Sequence, residues 1–600
     1  NPIEPPKRPE EGYHLTEDMA DKAIQHIRSN RALNPDRPLF LYFAPGAVHG
    51  PHQVPKQWAD KYKGRFDKGW EALREETFKR QKKLGWIPDN AALTPIDPTM
   101  QKWEDIPDEQ RKFQSRLMEI YAGFLEHTDV QYGKVVDELQ RQGLLDNTIV
   151  IYINSDNGAS AEGMNGTISE LLAQNLMTST IDQHLEVLAR DYGGLDALGG
   201  PLLDSMYHHG WAWAGDTPYK STKLVAAHFG GTRTPCVISW PQRIKADKTP
   251  RSQFHHVVDI VPTIYDLLGI TPPVLYDGVA QDPLDGVSMA STFDAADAEE
   301  QKETQYFEIL GSRGVYQNGW FACTFGPRRP WVAGAGDLAN WNPDDDVWEL
   351  YNLKEDFSQA HDLAEKMPKK LQAMKDLFTM EATRNKVLPV GGAFYMALHP
   401  EQMRASPLKE WTFFEGQTRI PESLAPKFIS GFSTLATIEA QVPENAEGVL
   451  FCVGGISAGY TVFMDKGYLH AEYNALTLDR YKIRSDGPIP TGQVTIEVET
   501  KFDGRQREAP ATVTFRVNGK QVGQGRIERS VPMAFTASET FDVGMDLGSP
   551  VSLAYHDRAP FEFTGRIEKV AIRYVPPAAT SRGAEEELSA ELRELQPVTS

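Results

Sequence analysis

With 600 residues the chain is too long for one hydrophobic core and should divide into two or three domains. Its 62 basic and 83 acidic side chains leave a formal net charge of −21, which argues against general affinity for nucleic acid or for an anionic membrane, so that an anionic substrate would have to be drawn by local positive charge. Hydrophobic content of 40% is ordinary for a globular protein, no apolar stretch approaches the ~20 residues that span a bilayer, and three widely separated cysteines give neither a disulfide framework nor a metal-ligand spacing.

From residue 1 to about 300, strands and helices alternate, which predicts an α/β domain: a mainly parallel sheet sandwiched by helices. Thr16 is placed to cap a helix running to about Ser29, with Met19, Ala23, Ile24 and Ile27 on its apolar face. Leu39–Phe43 reads as a buried strand that opens into a Pro/Gly loop carrying His49 and His52. Lys63–Lys112, charged and rich in Trp and Pro, reads as a surface excursion of the kind that shapes an active-site mouth. Gln114–Gln142 places Leu117, Ile120, Tyr121, Phe124 and Leu125 at helical spacing, a core stripe. Thr148–Ile153 is a second buried strand, stopping at Asp156, Asn157 and Gly158.

Gly163–Leu203 then interrupts with helical sequence that either controls substrate access or decorates the surface. Asp216–Lys223 leads through His228, the Gly230–Gly231 pair and Arg233 into a strand, Cys236–Trp240. Asp259 is placed as N-cap of a helix with Pro262 in its first turn and Gly269 just past its end. Residues 301–390 read as a small α+β subdomain of short antiparallel strands followed by the helix Pro368–Asn385, in which Glu308 and Arg313 are structural, an ion pair being the simplest reading. A linker occupies 391–426. Residues 427–577 read as strands throughout, with hairpin turns at Asp465-Lys466-Gly467 and Asn518-Gly519, a β-sandwich; 578–600 is an acidic tail.

Three of these segments carry candidate chemistry. A carboxylate beside a side-chain carbonyl, at the carboxyl end of a strand, suits a hard cation such as calcium or magnesium, and an Asx turn is the plain alternative for Asp156-Asn157-Gly158. His49 offers a proton donor and Lys223 a fixed positive charge. His52, His208, His209 and His228 are weaker candidates, of which His228 stands out because it adjoins the double glycine after Lys223.

The strings Ala-Val-His49-Gly-Pro, Ser-Asp156-Asn157-Gly158-Ala, Thr-Pro-Tyr-Lys-Ser-Thr-Lys223, Phe-Gly230-Gly231-Thr-Arg and Val258-Asp259-Ile-Val-Pro262-Thr, in this order, resemble the sulfatase family, specifically the large bacterial-type arylsulfatases of the alkaline phosphatase superfamily. The similarity runs from about Tyr13 to Asn352, and more loosely to about Tyr574. It implies an alkaline-phosphatase-like sheet and hydrolysis of a sulfate monoester of a small molecule or carbohydrate. Asp156 and Asn157 would be ligands of calcium rather than magnesium. Lys223 and His49 would be catalytic and sulfate-binding, with His49 protonating the leaving alcohol or phenol, and His228 would be a further substrate-binding residue.

The resemblance also implies a formylglycine nucleophile made from Cys/Ser-x-Pro-x-Arg, and none of Cys236, Cys323 or Cys452 stands in that setting. Ser239-Trp-Pro-Gln-Arg243 matches the bare pattern but follows Lys223, and reads as a chance match. The family's N-terminal aspartate pair is absent too, so the expectation is a C-terminal portion, inactive by itself and a weak calcium binder. The resemblance favours the periplasm or secretion over the cytoplasm. The alternatives are a phosphodiesterase or phosphonate monoester hydrolase of the same superfamily, and a non-catalytic glycan-binding protein built around the sandwich, which looks like a lectin-type or laminin-G-type fold.

Overall fold

A computed structural model of the chain describes residues 5–332, 341–392, 408–536 and 538–576. The chain folds as two compact units, the first from Asn1–Thr167, Leu198–Pro201 and Ser205–Gln402, the second from Ile168–Ala197, Leu202–Asp204 and Met403–Ser600. The expected linker (in its portion 393–407) and the acidic tail (577–600) lie outside the described residues.

In the first unit, the helix Leu15–Leu33 buries Ala20, Ala23 and Ile27, one helical face, against Val135 and Leu139 of the long helix Asp108–Arg141. Its cap differs from the expected one: His14 Nδ1 accepts from the Thr16 amide at 3.2 Å, and Thr16 is inside the first turn. Leu39, Leu41 and Phe43 pack on the same cluster, while Phe40 and Tyr42 are 76% and 84% exposed. The segment therefore alternates sides and is covered on one only. It forms no ladder among the described residues, so the expected buried strand is a half-covered extended run.

Val150–Ile153 pairs with Cys236–Ser239, and the pairing is antiparallel. The turn at Gly230–Gly231 brings the chain back beside the first strand, whose continuation donates from Asn154 N to Pro235 O at 3.1 Å. The α/β class stands, with helices and sheets here and a β-rich C-terminal region. The mainly parallel pairing does not: every ladder between named strands of the described residues is antiparallel.

The expected surface excursion contributes to the core instead. Within it, the helix Gly69–Lys83 buries Trp70 completely, stacked on His208 at 4.4 Å and edge-on to Trp103 and Trp211 at 5.0 and 5.4 Å. Arg74, one helical turn on, donates to the carbonyls of Trp213, Thr94 and Tyr219 at 2.6, 3.3 and 2.8 Å. Its charge thus closes a junction of three segments, which a pattern of Trp and charge does not disclose.

Asp259 precedes the helix Ile260–Leu268, and Gly269 ends it in the left-handed region at φ 65°. Asp259 makes no side-chain cap to that helix; fully buried, it accepts from His256 N at 2.8 Å, Val287 N at 3.0 Å and Lys302 Nζ at 2.9 Å.

Toward the end of this unit, Trp348–Asn352, Trp320–Thr324, Ser312–Gln317 and Thr304–Ile309 form a four-stranded antiparallel sheet in that order. Val315, Ala322 and Leu350 on one face pack against Met374, Phe378 and Ala382 of the helix Pro368–Arg384. Arg313 pairs with Asp346 at 2.6 Å, whereas Glu308 accepts from the Gly311 amide, so the two are structural through separate partners.

The second unit is built on two six-stranded sheets. One runs Glu410–Phe413, Arg566–Tyr574, Thr434–Val442, Gly492–Phe502, Ala511–Val517, Lys520–Ile527; the other runs Ile420–Pro421, Thr540–Val543, Gly448–Gly454, Gly459–Asp465, Tyr468–Ala475, Asp479–Arg484. Thr434–Val442 alternates buried with more exposed positions, while Gly448–Gly454 is buried at every position. Lys466-Gly467 and Asn518-Gly519 make two-residue turns with positive φ at both positions, the geometry that hairpins prefer. The strand Glu410–Phe413 lies within the expected linker.

The helical interruption belongs to this unit too. Asn175, just past the short helix Leu171–Gln174, accepts from Met533 N and Ala534 N at 3.1 and 3.2 Å and donates to Ala534 O at 3.0 Å. Its own carbonyl accepts from Arg507 at 2.6 Å. Among the described residues, no helix is long and apolar enough to cross a membrane.

Candidate active site

The strand Val150–Ile153 ends in a loop locked to the third chemical segment by backbone contacts. Gly158 N donates to Gly231 O at 3.1 Å, and a Cβ on Gly158 would lie 1.6 Å from Gly230 O, so no other residue fits. Ala159 is held from both sides: its N–H donates to Asp216 Oδ1 at 2.9 Å, and its carbonyl accepts from Lys223 N at 3.0 Å. Burial pushes Asp216 well above the usual carboxylate range, against the opposing pull of that amide and of Arg74. The loop bearing Asp156 and Asn157 and the segment bearing Lys223 are thereby one rigid piece.

Lys223 Nζ lies 2.9 Å from His49 Nε2 and 2.9 Å from Glu162 Oε2. His49 Nδ1 is 2.8 Å from Gly50 O, which accepts and so assigns the ring proton to Nδ1; Nε2 is then the acceptor for the ammonium. Burial acts to raise Glu162, but the charge and hydrogen bond of Lys223, the Ser160 hydroxyl and Arg328 together hold it below the ordinary carboxylate range. Glu162 was not among the candidates from the sequence, because a lone glutamate four residues past a glycine turn carries no pattern.

Neither the Asp156 carboxylate nor the Asn157 side-chain amide makes a hydrogen bond among the described residues; the Ser155 hydroxyl bonds to the Asn157 backbone carbonyl instead, at 2.7 Å. Two adjacent hard oxygens left unclaimed, on a loop fixed by its backbone, fit a calcium-type cation as a partial ligand set, since calcium takes about six to eight oxygens.

The remaining histidines are placed differently. His52 is sandwiched by Tyr121 and Tyr207 with ring centroids at 5.0 and 4.8 Å, and burial, with a smaller contribution from His49, pushes its pKa down to about 3. Burial also takes His209 to about 4 and His208 well below its ordinary value, so all three are neutral core rings. His228 does not present itself to a substrate: its Nδ1 is 2.7 Å from Ser221 Oγ and its Nε2 2.8 Å from Glu349 Oε2. Its sequence position beside the double glycine pointed to the pocket, but the turn directs its ring toward the four-stranded sheet. Arg233 lies over the ring of Phe357 at 4.3 Å, and Arg243 of the Ser239 motif pairs with Asp294 at 2.8 Å.

Residues 1–270 match the model of the family described as Sulfatase. An uncharacterised sulfatase of Schizosaccharomyces pombe is 32% identical over 262 residues, which is 44% of this chain and 44% of that protein. The arylsulfatase of Klebsiella aerogenes is 26% identical over 268 residues, 44% of this chain and 53% of that one. The matched region thus spans about half the length of these relatives. The crystal structure of Ps i-CgsB is 18% identical, covering 60% of this chain and 53% of that chain at a TM-score of 0.34.

Proposed function

We propose that the chain contributes to an arylsulfatase-type enzyme that hydrolyses sulfate monoesters. The observation that carries this reading is the 2.9 Å approach of Lys223 Nζ to His49 Nε2, beside the unclaimed Asp156-Asn157 pair. A sulfate monoester shields its sulfur with anionic oxygens, so hydrolysis requires that charge to be neutralised where it builds up. Lys223 supplies a fixed cation for one sulfate oxygen. His49, carrying a proton on Nε2, binds a second oxygen and hands that proton to the leaving alkoxide or phenoxide. Glu162 holds the ammonium in place and keeps local charge balanced while the site is empty of substrate.

Asp156 and Asn157 would hold a calcium ion, which when bound would polarise the sulfate. Their two oxygens leave most of its coordination to be completed by groups outside these 600 residues, and the formylglycine nucleophile is likewise supplied from outside them. Small aromatic or carbohydrate sulfate esters are the substrate class.

The test compares the 600-residue chain with the polypeptide extended upstream to include a Cys/Ser-x-Pro-x-Arg segment, using an aryl sulfate and the matching phosphate diester and phosphonate monoester. The expected result is aryl sulfate hydrolysis by the extended polypeptide alone. Faster turnover of the phosphate diester or phosphonate would replace the reading by a phosphodiesterase or phosphonate hydrolase of the same superfamily. Full activity in the 600-residue chain would overturn the division of the site.

A further inference from the structure

Outside the Lys223 site, His228, Cys323 and Glu349 place an imidazole nitrogen, a thiol sulfur and a carboxylate oxygen within 4.8 Å of one another. Cys323 and Glu349 are direct cross-strand partners in the ladder between Trp320–Thr324 and Trp348–Asn352, so both project from one face of a rigid sheet. His228 meets them from the segment before the short helix Phe229–Thr232. The cysteines are uninformative by spacing in the sequence, because these three ligands come from places far apart in the chain.

Each of the three is oriented by a second partner, as metal ligands are. Without an ion, His228 Nε2–H donates to Glu349 Oε2 at 2.8 Å and Nδ1 accepts from the Ser221 hydroxyl at 2.7 Å; a ring proton moved to Nδ1 can donate to Ser221 Oγ instead, which frees the Nε2 lone pair for a metal. Gln359 Nε2 is 3.9 Å from Cys323 Sγ, and that amide is itself fixed by Phe229 N at 2.8 Å and Ala227 O at 3.0 Å. Tyr351 donates to Glu349 Oε2 at 2.7 Å. Donors thus converge on Glu349 Oε2, the oxygen that also lies 3.9 Å from Cys323 Sγ.

We propose that His228 Nε2, Cys323 Sγ and Glu349 Oε2 form a binding site for a zinc-class divalent cation, distinct from the hard-cation pair at Asp156 and Asn157. Thiolate, imidazole and carboxylate together select a borderline-soft ion over calcium. Zinc bonds of about 2.3 Å to sulfur and about 2.0–2.2 Å to nitrogen and oxygen need ligand atoms roughly 3.3–3.8 Å apart. The 2.8 Å contact between His228 and Glu349 must therefore open by about half an ångström, while the 3.9 Å between sulfur and oxygen is already close. The ion replaces the hydrogen bond between His228 and Glu349: the ring proton moves from Nε2 to Nδ1, where Ser221 Oγ accepts it, and the Cys323 S–H bond breaks as the S–Zn bond forms, releasing one proton to the buffer.

Lys220 Nζ, 3.5 Å from Glu349 and 26% exposed, is the opposing charge; it keeps its 2.6 Å bond to Tyr351 or turns to water as the ion enters. Glu349, 29% exposed, provides the entry path. The occupied site would clamp the turn after Lys223 to the four-stranded sheet.

Because Cys236 is exposed and would bind soft metals by itself, the test starts from a reduced, metal-free Cys236→Ser chain titrated with cobalt and zinc. The expected result is one zinc per chain, one proton released per zinc, and a thiolate-to-cobalt charge-transfer band that zinc displaces. Adding Cys323→Ser should abolish the band, and Ser221→Ala should weaken zinc binding by roughly 10–100-fold by freeing the His228 ring. Asp156→Ala should leave the band intact. Absence of the band in the folded Cys236→Ser chain, or its persistence with Cys323→Ser, would overturn the site and show the cluster to be a closed hydrogen-bond network. Because the titration of the Cys236→Ser chain alone can refute the proposal, a folding defect in the Cys323 variant does not shelter it.

Discussion

Lys223 and His49, 174 positions apart, meet through a 2.9 Å contact from an ammonium to an unprotonated imidazole nitrogen. In the proposed function the lysine is both the sulfate anchor and the group that keeps the histidine ring aimed. Lys223→Ala in the polypeptide that carries its nucleophile should therefore lower kcat by about 10²–10³-fold, the usual loss for one charge-stabilising donor. Glu162→Gln should lower it less, because the lysine keeps His49. Steady-state kinetics on an aryl sulfate read both, and a larger loss from Glu162→Gln than from Lys223→Ala would remove Lys223 from its assigned place.

The Asp156-Asn157 pair predicts a calcium-dependent melting temperature. If the ion binds only the folded state, calcium at 100 times its Kd adds about 2.7 kcal/mol of stability. That gain should appear in the extended polypeptide, shrink in the 600-residue chain and vanish with Asp156→Ala, as read by calorimetry with calcium and with a chelator. An undiminished calcium shift in Asp156→Ala would place the ion elsewhere.

Asp259 and Lys302 form a buried pair, with side chains 0% and 2% exposed and 2.9 Å apart. Lys302→Met leaves a buried carboxylate without its counter-charge and should cost about 3–5 kcal/mol. Lys302→Met with Asp259→Asn should recover part of that loss, since the amide oxygen still accepts from His256 N or Val287 N. Urea unfolding of the three proteins measures the coupling directly.

In the sandwich, burial raises Asp546 to about 7, outweighing the hydrogen bonds from Tyr555 and Val551 N that favour its charged form, while Asp542 adds to the rise. A carboxyl whose pKa is higher folded than unfolded binds more protons in the native state, so its contribution is greatest below the unfolded value near 4 and is lost as pH rises to about 7. Asp546→Asn should remove this dependence, making the second unit's melting temperature flatter between pH 4 and pH 7 than in the parent. An unchanged slope would show that the carboxyl titrates normally.

Asp156 and Asn157 drew notice because the apolar run Val150–Ile153 stops just before them, and Lys223 because its string and the double glycine after it carry the resemblance. Pairing direction was not legible. Val150–Ile153 and Cys236–Ser239 carry the β-branched residues of a buried strand, yet residue type cannot say whether the partner arrives parallel or antiparallel. Trp70 and Arg74 were misplaced on the surface because Arg74 satisfies its charge on carbonyls from distant segments, which have no signature in composition. The partners of His228 were not legible for a related reason: its neighbours in sequence are the turn, but its partners in space are Ser221 and Glu349.

Asn175 bonds to Met533 and Ala534, up to 359 positions downstream. At ribosomal rates of roughly 5–20 residues per second, the helical insert emerges tens of seconds before the strands it must join exist. The polar contacts of Asn175 therefore wait unmade through that interval, a kinetic exposure that invites chaperone capture during synthesis. A clean cut that isolates the sandwich by removing everything upstream of residue 403 would also discard this insert, so the second unit is a discontinuous module that matures only after the whole chain has been made.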